Sequence, residues 1–144
     1  MRVLVIHGPN LNLLGEREPE IYGTQTLADV NELIKTTAND LGLEATCEQY
    51  NGEGQIVDAL HAARFTADAI VINPGAYAHY SYAVADAIKS IAVPTIEVHL
   101  SNIHARDEFR RTSVTAAACR GTVGGFGPLS YVLALHAAAK MLEK

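Results

Sequence analysis

Val3-Leu4-Val5-Ile6 is a run of four aliphatic residues, and it is followed directly by His7-Gly8-Pro9-Asn10. An unbroken aliphatic run is typical of a central strand in a parallel sheet, where both faces of the strand are buried. Two more apolar runs, Ala69-Ile70-Val71-Ile72 and Val93-Pro94-Thr95-Ile96, are also followed by polar residues. A buried strand followed by a polar loop, three times over, predicts an α/β fold.

Helical patterns separate these strands. Thr26-Leu27-Ala28-Asp29 has the arrangement of a capping box, and apolar residues then recur at helical spacing until Gly42. The other predicted elements are helices from Ile56, from near Ser81 and over residues 129–142, and strands over residues 45–49 and 115–123. The alternation predicts a five-stranded parallel sheet with helices on both faces, in a single domain of residues 1–144.

The composition limits the classes of function. Of the 144 residues 49% are hydrophobic, and the net charge of −5 argues against a general nucleic-acid-binding protein. No apolar run is long enough to span a membrane, and we recognise no signal peptide. Cys47 and Cys119 are too few for a disulfide framework, so we interpret them as free, inert thiols. We therefore expect a cytoplasmic protein without nucleic-acid or membrane partners.

Three polar loops follow predicted strands, and we expect them to form one site, because ligands of open α/β sheets bind at the carboxyl edge. The loop centred on Glu97-Val98-His99-Leu100-Ser101-Asn102 combines a carboxylate, an imidazole and a hydroxyl. The segment between Gly15 and Gly23, here called the lid segment, is long enough to close over a site. The candidate residues are Asn10, Arg17, Tyr22, Asn73, His79, Glu97, His99, Ser101, Arg106 and Arg110. An imidazole beside guanidinium groups indicates acid–base chemistry on a small carboxylate or phosphate.

Other kinds of site remain open. Glu97, His99 and His104 could bind a metal ion, although their spacing matches no established zinc pattern. No nucleotide-binding glycine motif follows the first strand, and Ser101 has no evident third group to orient a histidine base. The chain could also be a module that binds phosphate or flavin without chemistry, or a scaffold whose arginines form an assembly surface. Acid–base catalysis without a metal or cofactor accounts for most of the candidate residues.

Four blocks of sequence carry a family resemblance. They are Gly8-Pro9-Asn10-Leu11-Asn12 with Arg17-Glu18-Pro19 and Tyr22-Gly23; Asn73-Pro74-Gly75-Ala76 with His79; Glu97-Val98-His99-Leu100-Ser101-Asn102; and Arg106 with Phe109-Arg110. In these blocks the chain resembles the type II 3-dehydroquinate dehydratases of the shikimate pathway, over nearly its whole length. The resemblance implies a flavodoxin-like fold, no metal or coenzyme, and a homo-dodecamer that is a tetramer of trimers. It further implies elimination of water from 3-dehydroquinate to give 3-dehydroshikimate through an enolate, in chorismate and aromatic amino acid biosynthesis.

The resemblance also implies catalytic roles for individual residues. Tyr22 would be the base that removes a proton beside the substrate ketone, and His99 would be the acid that protonates the departing hydroxyl. Glu97 would orient His99. Arg17, in the lid segment, would stabilise the transition state and the tyrosinate, and Asn10 would help to hold the enolate-like intermediate through water.

Substrate-binding roles follow in the same way. The implied substrate-binding residues are Asn73, His79, Asp86, Leu100, Ser101 and Arg110. Among them, the backbone at Leu100 and Ser101 would meet the substrate carboxylate, and Asp86 would reach the site of a neighbouring subunit. Arg106 is expected to be a structural or interface residue.

Overall fold

A computed structural model describes residues 1–143 of the chain, and of Tyr22 it describes the backbone alone. Within the described residues the chain forms the strands β1 (Arg2–His7), β2 (Glu44–Gln49), β3 (Ala69–Asn73), β4 (Thr95–His99) and β5 (Gly121–Gly124). The α-helices are α1 (Pro19–Tyr22), α2 (Leu27–Asp40), α3 (Glu53–Ala63), α4 (Tyr82–Ser90) and α5 (Leu129–Leu142). All neighbouring strands are parallel, in the order β2-β1-β3-β4-β5. This order is that of flavodoxin-like sheets, so the predicted fold is confirmed.

Each face of the sheet has its own apolar core, because alternate residues of a strand point to opposite faces. Val3, Val5 and Val71 belong to the core on which α2 and α5 pack. Leu4 and Ile70 belong to the other core, to which α3 and α4 contribute. Strands buried on both faces explain why the aliphatic runs of β1 and β3 are unbroken.

The ends of α2 follow the sequence signals. Thr26 Oγ1 accepts a hydrogen bond from the backbone N–H of Asp29, and the Asp29 carboxylate accepts one from the N–H of Thr26. These two bonds satisfy N–H groups that the first turn leaves free, as the predicted capping box requires. Beyond the last turn Gly42 has φ +73°, a left-handed conformation that favours glycine.

Two predicted boundaries were wrong. The fifth strand was expected at residues 115–123, but a 3-10 helix at Ala116–Ala118 occupies that segment and β5 is confined to Gly121–Gly124. Alanines have low strand propensity, and the Ala116 N–H turns back to Ser113 Oγ. The polar residues Glu97 and His99 were expected after the strand, but both lie within β4 and are buried.

One face of β4 is polar and buried. Thr95, Glu97 and His99 alternate with Ile96 and Val98, and only the latter two contribute to an apolar core. The connection from β4 to β5 contains three 3-10 helices, at Ile103–Ala105, Glu108–Arg110 and Ala116–Ala118, and its residues Ser113 and Thr115 bond Glu97 on the polar face. The carboxyl end of β4 thus carries polar side chains that the loop around them must satisfy.

Among residues 1–143, none of the helices combines the length and the apolar character that crossing a lipid bilayer requires.

Candidate active site

The carboxyl ends of β1, β3 and β4 meet at one edge of the sheet and form a cavity. His7 at the end of β1 is paired in register with Asn73 at the end of β3. The residues that line the cavity are Pro9, Asn10, Leu11, Arg17, Asn73, Gly75, Ala76, His79, His99, Leu100, Ser101, Ile103, Arg106 and Arg110. Of the eleven residues for which the resemblance implies a catalytic or substrate-binding role, the structure therefore brings eight together, at the carboxyl ends of three strands and in the loops that follow them.

Glu97 and His99 form a pair beside this cavity. They are two residues apart on β4, so their side chains point to the same face of the sheet. His99 Nε2 lies 2.9 Å from Glu97 Oε2, which leaves Nδ1 as the ring nitrogen available to another group. Burial acts to raise the pKa of Glu97, but hydrogen bonds from His99, Ser113 and Thr115 outweigh it and hold the pKa below its ordinary value. Glu97 is therefore a buried carboxylate next to an imidazole.

His79 stands next to His99 in the cavity wall. The two rings are stacked, with centroids 6.4 Å apart. Burial lowers the pKa of His79, although its hydrogen bond to the Thr112 carbonyl opposes this, and the charges of His99 and Arg110 lower it further. Nδ1 of the neutral ring donates to Thr112 O at 2.8 Å, which leaves Nε2 as a hydrogen-bond acceptor.

Three arginines line the cavity. Arg17 Nη2 lies 3.2 Å from Glu18 Oε2, and the backbone carbonyl of Arg106 accepts a bond from Arg111 Nε. Arg110 Nε is buried and, among the described residues, has no hydrogen-bond partner; Asp107 Oδ2 is 4.0 Å away. Arg106, for which the resemblance implies a structural or interface role, thus lies with the other two. Together they make the cavity suited to an anion.

The two asparagines of the site are held in different ways. Asn73 is buried; its Nδ2 donates to the Tyr131 hydroxyl at 3.2 Å, and its Oδ1 accepts from the N–H of Gly75 at 3.1 Å. Asn10 is exposed and has φ +68°, and its N–H donates to Asn51 Oδ1 at 3.0 Å. The amide of Asn73 therefore has a fixed orientation.

Three residues of the sequence analysis have a different relation to the cavity. Glu97 contacts it through His99. Asp86 lies on the exposed side of α4 and does not line it; its implied role concerns a neighbouring subunit and stays a prediction. The side chain of Tyr22 lies outside the described part of the structure, although α1 places its backbone in the lid segment. Gly15 and Gly23 bracket this segment with φ of +90° and +80°.

Sequence reasoning missed the hydroxyls that surround Glu97. Ser113 Oγ donates to Glu97 Oε2 at 2.6 Å, and Thr115 Oγ1 donates to Glu97 Oε1. Thr115 begins the segment that the sequence wrongly assigned to the fifth strand, and Ser113 lies two residues before it. The available signal was a pair of hydroxyl residues two positions apart, close to a strand that carries a buried carboxylate.

The alternative of a metal site gains no support from the geometry. Within residues 1–143, no three His, Cys, Asp or Glu side chains are grouped so that they could hold a metal ion. Glu97 and His99 are adjacent, but His104 is exposed on a separate 3-10 helix.

Comparisons with known proteins agree on one family. The sequence model described as dehydroquinase class II matches residues 1–139. A 3-dehydroquinate dehydratase from Caldicellulosiruptor bescii is 57% identical over 143 residues, 99% of each chain. One from Pelotomaculum thermopropionicum is 53% identical over 141 residues, 98% of each chain.

Solved structures give the same result. The crystal structure of a type II dehydroquinase from Butyrivibrio crossotus matches with a TM-score of 0.94 and 45% identity, covering 96% of this chain and 97% of that one. A type II dehydroquinase from Propionibacterium acnes matches with a TM-score of 0.93 and 43% identity, covering 96% of each chain. Both the sequence and the fold are thus matched along almost their whole length, and the chain belongs to the class II dehydroquinase family.

Proposed function

We propose that this chain is a type II 3-dehydroquinate dehydratase, a hydro-lyase that removes water from 3-dehydroquinate to give 3-dehydroshikimate. The observation that carries the proposal is the position of His99, which is paired with the buried carboxylate of Glu97 in the wall of an arginine-lined cavity. The relatives named for this activity are identical to this chain at more than half of their aligned positions.

His99 is the general acid in this proposal. With Nε2 engaged by Glu97, Nδ1 is the nitrogen that donates the proton to the departing hydroxyl. The Glu97 carboxylate fixes the ring and stabilises the imidazolium before transfer. Hydroxide is a poor leaving group. Protonation by His99 lets the hydroxyl leave as water, so this step needs no metal ion.

Tyr22 is the base, and it removes the proton beside the ketone to give an enolate. A free tyrosine has a pKa of about 10, so its ionisation at pH 7 costs about 4 kcal/mol. A nearby cation can lower a pKa by about 1–3 units, and Arg17, five positions away in the lid segment, is the candidate. Closure of the lid segment would exclude water and strengthen this pairing. Asn10 holds the enolate through a water molecule.

Substrate binding falls to the remaining cavity residues. Arg110 has a buried Nε without a hydrogen-bond partner in the described residues, and a substrate carboxylate supplies one, together with the backbone of Leu100 and Ser101. The neutral His79 offers Nε2 as an acceptor for a substrate hydroxyl. The fixed amide of Asn73 supplies a further directional contact.

The wider properties implied by the resemblance belong to the same proposal. The chain forms one catalytic domain that works in the cytoplasm, in chorismate and aromatic amino acid biosynthesis. It assembles as a homo-dodecamer, in which Asp86 of each subunit reaches the site of its neighbour. Catalysis requires no metal or coenzyme, so activity should persist after exhaustive chelation.

The activity test uses the conjugated enone of the product, whose ultraviolet absorbance rises as 3-dehydroquinate is converted. The wild-type chain should produce this signal, and Tyr22→Phe should not, because phenylalanine has no ionisable oxygen. Tyr50→Phe is the matched control, since the Tyr50 hydroxyl bonds Glu48 and lies outside the cavity. Absence of enone formation by the wild-type chain would refute the proposal.

A second test separates catalysis from binding at Arg17. If Arg17 assists ionisation of the base, Arg17→Ala should lower kcat by orders of magnitude and shift the pH dependence of kcat/KM to more alkaline pH. Arg64→Ala, at an exposed arginine after α3, is the control. An Arg17→Ala enzyme with normal kcat and an unchanged pH profile would show that Arg17 has no part in the chemical step.

A further inference from the structure

The Glu97 carboxylate accepts hydrogen bonds from two hydroxyl groups, those of Ser113 and Thr115, to which the proposed function gives no role. Glu97 has no solvent exposure, and it accepts bonds from His99, Ser113 and Thr115. Thr115 is likewise fully buried. A buried carboxylate without donors would take up a proton, because burial disfavours the charged form.

The protons of the two hydroxyls can be counted. The backbone N–H of Ala116 donates to Ser113 Oγ at 3.1 Å, so the single proton of this hydroxyl is free to point at Glu97. Thr115 donates its single proton to the other carboxylate oxygen. The two hydroxyl oxygens also lie 3.2 Å apart, and this longer contact carries no proton when both hydroxyls donate to Glu97. Both oxygens of Glu97 are thereby used as acceptors, which is the hydrogen-bonding pattern of an ionised carboxylate.

The segment that carries these hydroxyls is fastened to the site. The N–H of Val114 donates to the Ala78 carbonyl at 2.7 Å, one residue before His79. The N–H of Arg120 donates to the Thr95 carbonyl of β4 at 2.8 Å. Two backbone bonds to strand and loop therefore hold the hydroxyls at a fixed distance from Glu97.

We infer that Ser113 and Thr115 are positioning residues, whose hydroxyls keep Glu97 ionised and oriented so that it can hold His99 as the acid. The role in catalysis rests on the proposed function, but the effect on Glu97 does not. Without the hydroxyls Glu97 would become protonated at a higher pH, and a neutral carboxyl group would no longer stabilise the imidazolium.

The two positions should differ in their sensitivity. Ser113 and Glu97 line a second cavity, on the side of β4 that faces β5, and Thr115 does not line it. A water molecule from this cavity can replace the Ser113 hydroxyl, whereas Thr115→Val puts a methyl group where no water can enter. We therefore expect a smaller effect for Ser113→Ala than for Thr115→Val.

The first experiment is an infrared titration, which requires no activity. Protonated Glu97 has a carboxylic C=O band, identified by its absence in Glu97→Gln. The band should appear at a higher pH in Thr115→Val than in the wild-type chain, and Thr115→Ser should restore the wild-type titration. Thr122→Val is the matched control, because Thr122 is the exposed register partner of Glu97 on β5. Equal titrations in the wild type and Thr115→Val would overturn the inference.

The second experiment is a double-mutant cycle on turnover. Thr115→Val should lower kcat about tenfold or more with little change in KM, since a hydrogen bond to a charged group is lost. In the Glu97→Gln background the same substitution should change kcat less than about twofold, because the charge on which it acts is gone. An equal loss in both backgrounds would show a merely structural role. A wild-type chain without dehydratase activity would refute the proposed function instead, and the infrared titration would still decide the inference.

Discussion

His7 should make the protein lose stability in mild acid. It lies at the end of β1 without solvent exposure, with Nδ1 2.9 Å from the Tyr131 hydroxyl and Nε2 2.7 Å from Asn31 Oδ1. Burial lowers the pKa of His7 from 6.5 to about 4, and the bond to Asn31 opposes this only in part. The folded protein therefore binds this proton more weakly than the unfolded chain does. The stability associated with neutral His7 is complete above pH 6.5 and is lost as the pH falls towards 4.

The size of the loss follows from the two pKa values. Between pH 7.5 and pH 5, protonation of the unfolded chain alone should lower the free energy of unfolding by roughly 2 kcal/mol, with a limit of roughly 3 kcal/mol below pH 4. Glu97, whose pKa is also depressed, loses its contribution below its ordinary value of 4.5, outside this window. The interval from pH 7.5 to 5 therefore isolates His7 from Glu97.

The assay is urea unfolding at pH 7.5 and pH 5, at one protein concentration because the stability of an oligomer depends on it. The comparison variant is His7→Asn, which does not titrate and whose amide can still bond the Tyr131 hydroxyl. The wild-type chain should lose about 2 kcal/mol more than the variant between the two pH values. The pKa of His79 is also lowered, but His79 is present in both proteins, so its contribution cancels in the difference between them. An equal loss in both proteins would refute the assignment of a buried, neutral His7.

Two more outcomes follow from packing and burial. Gly8→Ala should destabilise the protein by about 1–3 kcal/mol in urea unfolding, because its Cβ would lie 2.6 Å from the Pro74 carbonyl carbon. Gly54 lies in α3, and a Cβ added there would meet open space, so Gly54→Ala should stabilise the protein by about 0.5–1 kcal/mol. Similar changes in stability for the two substitutions would contradict the packing argument. Burial raises the pKa of Cys47 to about 11 and that of Cys119 to about 12. A thiol-specific disulfide reagent at pH 8 should therefore label the native protein at least about a hundredfold more slowly than the urea-unfolded chain, and comparable rates would show that the thiols are accessible.

Local patterns predicted most of the fold. The sequence placed α5 at residues 129–142, as observed, since its apolar residues are continuous and its start is marked by Pro128. The cap at Thr26 and the break at Gly42 also depend on contacts within a few residues, so α2 could be placed from both ends. The unbroken aliphatic runs of β1 and β3 identified central strands because those strands are buried on both faces.

The errors concern contacts between distant segments. Glu97 and His99 were assigned to a loop because charged and polar residues rarely occur in a buried strand. They are accommodated there because Ser113 and Thr115, 16 and 18 positions from Glu97, satisfy the carboxylate. No local pattern reports a bond across such a distance. The same bonds hold the segment after Ser113 against β4. The observed fifth strand, Gly121–Gly124, is therefore shorter than the predicted one.

The candidate site was easier to predict than the element that carries it. Its residues lie at the carboxyl ends of three strands or in the loops after them, and any parallel sheet of this connectivity brings these ends to one edge, so approximate boundaries were sufficient. The chemistry of His99, in contrast, depends on the boundary that was wrong. In a loop, Glu97 would be solvated and its hold on the imidazole weak. Within β4 the two side chains share one face, Val98 anchors the strand in the opposite core, and the pair is fixed at 2.9 Å. The strand thus supplies the rigidity and the exclusion of water that an acid–base pair requires.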